Sequence, residues 1–146
     1  MRQFHGLVAG SPRIDLALEA RVQRVLVEAA SAGLLRSAHD CSHGGLMVAL
    51  AEACLAHGVG FASEKVRVRG RRDAALFGER ASRVVVSVEP ARVAELEALM
   101  ARIEVPYVRL GVTGGERLRF GTNVDVSLDE MREAYEGGLA GALREP

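Results

Sequence analysis

Five consecutive residues, His39-Asp40-Cys41-Ser42-His43, bring together two imidazoles, a carboxylate, a thiol and a hydroxyl, and Gly44-Gly45 then open onto an apolar run. Three chemistries could use them. His39 and His43 stand four apart, a spacing that on a helix puts both rings on one face, as zinc sites require, with Cys41 as a third ligand. The glycines, however, set the pair ahead of a helix rather than on it, and no obvious fourth ligand follows. Cys41 or Ser42 could act as a nucleophile, since a helix N-terminus favours a thiolate. No separate orienting group can be named, and a small half-buried filler is the plainer reading of Cys41.

The third chemistry belongs to the backbone. Strand, then Asp and Ser, then Gly-Gly, then helix is an arrangement for an anion and its counter-cation. Glycines permit close approach, the helix start offers free N–H groups, and the hydroxyl donates a hydrogen bond. Asp40 is a hard oxygen ligand of the kind Mg²⁺ takes beside phosphate oxygens. The same Asp-Ser pair could instead merely cap the helix through local hydrogen bonds. Spacing alone leaves these two readings open.

The elements that must position this loop are legible from periodicity. Asp15 is placed to cap a helix over "LALEARVQRVLVEAASAG", in which Leu18, Val22, Val25, Leu26 and Ala29 recur at helical spacing and Gly33 supplies the stop. A short strand is expected over Leu35–Ala38, then the loop, then a helix from Leu46 with Leu50, Ala53 and Cys54 on one face and Gly58 as terminator. "VGFAS" and "KVRVRG" read as strands, the second with Val66 and Val68 inward and arginines outward. "RDAALFGE" reads as a short helix. "RVVVSVE" is the strongest strand, its β-branched run suited to a buried central position. Pro90 fits the first turn of a helix over "ARVAELEALMARI". "VPYVRLGVTGG" and "RLRFG" are expected as strands around a Gly114-Gly115 turn, with "NVDVSL" a last strand. Ser127 and Glu130 have capping-box spacing for a helix from Leu128 to about Glu136, ended by Gly137-Gly138, with Tyr135 and Leu139 in core or domain packing. Several strands adjoin directly, which argues for an α+β domain with a mixed sheet rather than a doubly wound parallel one.

The 146 residues are one domain's worth of chain, with residues 1–14 as a lead-in or linker and 15–146 as a single domain. The mixed polar and apolar start reads as a segment of a longer chain. Nineteen basic and nineteen acidic residues cancel, so no global field argues for nucleic acid or an anionic membrane. The arginines of "VRVRGRRD" alternate with valine as a solvated strand edge would. No apolar run is long enough to span a bilayer, and no secretory leader stands at the start. A cytoplasmic protein with reduced thiols is the expectation.

"SAHDCSHGGLMVALAEACLAHGVG", "LFGERASRVVVSV", "RLGVTGG" and "VDVSLDEMREAYEGGL" resemble, in order and over nearly the whole chain, the C-terminal, second-repeat domain of the phosphoribosylformylglycinamidine synthase family, the synthetase subunit of purine biosynthesis. The loop alone would also suit aminoimidazole ribonucleotide synthetase, selenophosphate synthetase and a hydrogenase maturation factor of the same ATP-using superfamily. The "LFGE…VVVSV" block and "REAYEGGL" favour the purine enzyme. The resemblance implies a layered α/β domain like the C-terminal domain of aminoimidazole ribonucleotide synthetase, and a chain that is the final quarter of a tandem duplication. It implies an ATP-dependent C–N ligase acting on formylglycinamide ribonucleotide and ammonia from glutamine, in which ATP activates the formamide oxygen as an iminophosphate that ammonia displaces.

Carried over by position, the resemblance assigns Asp40 to Mg²⁺ at an auxiliary nucleotide, ATP or ADP, and Ser42, Gly44 and Gly45 to that nucleotide. The family's usual second aspartate of this loop is His43 here. Glu79 matches the glutamate of an E-S-Q motif that helps bind the ribonucleotide in the catalytic half, but the sequence reads Glu79-Arg80-Ala81. No catalytic residue falls in this chain. The implied partners are the N-terminal domains of the same subunit, a glutamine amidotransferase subunit and a small accessory subunit, with a homodimer of the fragment as a further expectation and neither nucleic acid nor membrane. A purely structural packing module is the competing expectation.

Overall fold

A computed structural model describes residues 14–63 and 70–142. Helix α1, Leu16–Ser31, begins where Asp15 accepts hydrogen bonds from the Ala17 and Leu18 amides, both at 3.0 Å. It stops at Gly33, whose φ of +63° lets Leu34 N–H return to the Ala29 carbonyl at 2.9 Å. Val22, Val25 and Ala29 are its buried stripe. Strand β1, Leu35–Asp40, follows and runs two residues beyond the expected end. Helix α2, Gly45–His57, is closed by Gly58 in the left-handed region. Strand β2, Phe61–Ser63, is short. The expected "KVRVRG" strand lies outside the described residues.

Helix α3, Arg72–Phe77, is one and a half turns long, and strand β3, Val84–Val88, pairs antiparallel with β1. A 3₁₀ turn over Pro90–Arg92 leads into helix α4, Val93–Ile103. Strands β4, Val112–Thr113, β5, Arg117–Phe120, and β6, Val124–Ser127, precede helix α5, Leu128–Ala142. The capping box at α5 is present, with Ser127 N–H donating to Glu130 Oε2 at 2.8 Å and Glu130 N–H to Ser127 Oγ at 3.2 Å.

Four expectations are corrected. The "RVVVSVE" strand is half-buried along its length and, among the described residues, has only β1 as a neighbour. Its β-branched run is explained by its faces: Val85 packs toward α2, Val86 and Val88 toward α1 and α4. The long strand expected before Gly114 shrinks to Val112–Thr113. That strand and β5 do not form a hairpin, because β2 lies between them in the order β4-β2-β5-β6. Gly114-Gly115 instead cross the start of β2, with Gly114 N–H to the Gly60 carbonyl and Gly60 N–H to the Gly115 carbonyl, both at 2.8 Å. Finally, α5 continues through Gly137 and Gly138. Of the two roles expected for Tyr135, its 70% exposure excludes the core and leaves domain packing, and the Leu139 side chain lies outside the described residues.

The four-stranded sheet is mixed, since β2 runs parallel to β5 and antiparallel to β4, and the α+β class stands. Its inner face carries Phe61, Leu118 and Phe120, packed against α2 and α5 through Leu50, Cys54 and Met131. Each such large side chain contributes on the order of 2 kcal/mol on burial. A second cluster joins α1 to α4 through Val25, Ala29, Leu96 and Leu99. The β1–β3 ribbon lies between the two clusters, so the loop leaving β1 is anchored on both sides.

Candidate functional site

The loop starts at a fixed strand end. Asp40 pairs with Val84, and Cys41 N–H donates to the Arg83 carbonyl at 2.9 Å, extending the ladder one residue further. Gly45 N–H then returns to the Ser42 carbonyl at 3.2 Å, closing a tight turn into α2. Gly44 and Gly45 both take left-handed φ, +74° and +67°. A Cβ on Gly44 would fall 2.3 Å from Val48 Cγ2, and one on Gly45 2.7 Å from the Phe77 carbonyl carbon. The close approach that the glycine pair permits is therefore made, on the Gly45 side, to the end of α3.

That contact brings two expected features together. Glu79, just past α3, accepts a hydrogen bond from the Gly44 N–H at 3.3 Å, joining the loop to the residue the sequence matched to a substrate motif. Arg83 holds the same corner from below, its guanidinium donating to the Ala75 and Gly78 carbonyls at 3.3 Å each. Sequence reasoning missed Arg83. Its one signal was a basic residue shortly after a short helix, where carbonyls are left over.

Helix α2 has no side-chain cap: its N-cap is Gly44. Asp40, Ser42 and His43 are exposed, and among the described residues no hydrogen bond or ion pair engages the Asp40 carboxylate or the Ser42 hydroxyl. The local-capping alternative for the Asp-Ser pair is thus not what the chain does. Both oxygens are available, at the start of a helix whose terminal N–H groups carry partial positive charge. A single hard oxygen ligand such as the Asp40 carboxylate is of the type that Mg²⁺ takes beside phosphate oxygens and water.

The other two chemistries find no support. Both ring nitrogens of His39 have partners, Nδ1 2.8 Å from the Asp40 carbonyl oxygen and Nε2 3.2 Å from Glu52 on α2. Among the described residues no three His, Cys, Asp or Glu side chains converge on a metal position. Cys41 is buried, and that burial pushes its thiol pKa up despite the nearby Arg83, opposite to what a nucleophile needs.

The fold and this loop define a class before they define a reaction. Residues 2–122 match the family described as AIR synthase related protein, C-terminal domain, and the chain belongs to that family. More particularly, it is similar to the phosphoribosylformylglycinamidine synthase subunit PurL of Thermomicrobium roseum, 46% identical over 143 residues that cover 95% of this chain and 20% of that protein. The PurL of Thermobifida fusca is 46% identical over 141 residues, covering 93% and 18%. The chain therefore spans about a fifth of the length of the curated relatives it matches.

Three solved structures share the fold. Phosphoribosylformylglycinamidine synthase II of Thermotoga maritima superposes with a TM-score of 0.70 at 18% identity, over 82% of this chain and 22% of that one. T. maritima PurLQS gives 0.67 at 17%, over 89% and 23%. T. maritima PurL complexed with ATP gives 0.64 at 17%, over 76% and 21%. Among the described residues no helix is long and apolar enough to cross a membrane.

Proposed function

We propose that this chain is the C-terminal domain of a cytoplasmic formylglycinamidine ribonucleotide synthetase subunit, supplying one wall of a nucleotide–Mg²⁺ site and no turnover of its own. The observation that carries the reading is the uncapped start of α2, with Asp40 and Ser42 exposed and unspent beside it. Asp40 is the proposed Mg²⁺ ligand, and Ser42 with the Gly44-Gly45 backbone the proposed phosphate contact. When bound, the metal would neutralise phosphate charge. The chain's own part is to hold a carboxylate and a hydroxyl in the turn before α2, where the Gly44 N–H is shared with Glu79 and the Gly45 N–H with the Ser42 carbonyl.

Three facts support the wider assignment. The relatives at 46% identity carry the name PurL, which favours purine synthesis over the other ATP-using members of the superfamily. A T. maritima PurL was solved with ATP, and PurLQS as an assembly, which supports a nucleotide ligand and further subunits. We assign as partners the N-terminal domains of the same subunit and, as separate subunits, an amidotransferase that delivers ammonia and a small accessory chain. In the reaction so assigned, ATP phosphorylates the formamide oxygen and ammonia displaces the phosphate. Glu79, associated by resemblance with the ribonucleotide, accepts a hydrogen bond from Gly44 of the proposed nucleotide loop.

The packing-module reading expects α2 to be capped by the Asp-Ser pair, and its N-cap Gly44 weighs against that. Calorimetric titration of MgADP into the full-length subunit tests the assignment. Asp40→Ala is expected to weaken one nucleotide site by at least about tenfold, as loss of a charged ligand requires. Unchanged affinity would leave Asp40 a structural role only. The isolated chain should show no ammonia-dependent ATP hydrolysis, and robust turnover by it would refute the fragment reading.

A further inference from the structure

The amide that a phosphate would use is already taken by a carboxylate. We propose that Glu79 is an anionic gate on the loop: its carboxylate occupies the Gly44 N–H, and a bound nucleotide must displace it. The inference rests on the nucleotide reading of the loop and adds a control on that site. Glu79 Oε1 lies 3.3 Å from Gly44 N, a long contact between an exposed carboxylate and the N-cap amide of α2. A carboxylate and a phosphate have the same sign and the same acceptor oxygens, so they compete for one helix-terminal donor.

Displacement is structurally cheap. The corner does not depend on Glu79, because Arg83 binds the last carbonyls of α3 and the Phe77–Gly78 backbone packs directly on Gly45. The side chain can therefore swing into solvent while α3 and the turn stay in place. A clamp would be built the other way, with a short bond and nothing else holding the two segments.

The test uses the full-length subunit and the MgADP binding component that Asp40→Ala removes. Glu79→Gln keeps the size of the side chain and removes its charge. We expect that component to tighten roughly fivefold, the scale of one like-charge contact at about 4 Å in water. The gain should grow at low ionic strength, where screening is weak. An Asp40-dependent component whose affinity is unchanged or weakened by Glu79→Gln overturns the gate and leaves the nucleotide site standing. If no Asp40-dependent binding exists in either protein, the site reading and the gate fall together.

Discussion

Gly45 and Phe77 are in backbone contact: a Cβ on Gly45 would sit 2.7 Å from the Phe77 carbonyl carbon and 2.9 Å from its oxygen. Two costs therefore meet at this position, a left-handed φ and a filled space, and the space is filled by backbone that has no rotamer to yield. Gly45→Ala should destabilise the fold by about 3 kcal/mol, combining a left-handed penalty with overpacking. Urea unfolding measures it. A loss below about 1 kcal/mol would mean that α3 is free to move off the loop.

The cap of α1 offers a smaller and cleaner test. Asp15 takes two orphan amides at once, and Asp15→Ala should cost about 1 kcal/mol, whereas Asp15→Asn should retain most of it. Equal losses in the two variants would show that charge, not the hydrogen bonds, matters there.

Acid should act on the cap of α5. Hydrogen bonds from the Ser127 hydroxyl, and then its backbone N–H, hold the exposed Glu130 carboxyl below the usual glutamate range. A carboxylate with a depressed folded pKa contributes stability above the unfolded value and loses it as pH falls through the folded one. Urea midpoints taken from neutral to acid pH should fall more steeply in the wild type than in Glu130→Gln. Parallel curves would remove Glu130 from the acid response.

The two thiols should be silent in the folded protein. Cys41 and Cys54 are both buried, and burial raises both pKa values. A thiol reagent at neutral pH should label neither quickly, and both at once when urea unfolds the chain. Rapid labelling of Cys41 in the native state would reopen the nucleophile reading.

What could be read along the chain was whatever local chemistry enforces. Asp15, Gly33, Gly58 and the Ser127–Glu130 box each satisfy backbone groups within a few residues of themselves, so their helix ends appear in the order of letters. The loop motif and its Gly pair were legible for the same reason. Gly137-Gly138 were misread as a stop because a glycine weakens a helix by only about 1 kcal/mol and does not forbid it.

The rest depended on partners far away in sequence. "RVVVSVE" looks central because both its faces are covered, yet the covering clusters come from α1, α2 and α4 and its edge is a separate matter. No local signal inserts β2 between β4 and β5, since that order arises from closing loops of fifty residues and more, and a Gly-Gly pair permits either path. Nor could spacing tell whether Asp40 and Ser42 cap α2 or stand free. Among the described residues both side chains stay unpaired, and the end of α3 packs on Gly45 with Glu79, 35 residues on, at the Gly44 amide. Residue types and short-range hydrogen bonds were settled by the chain itself. Which groups remain available for a ligand was settled only by what packed against the loop, because availability is a property of neighbours.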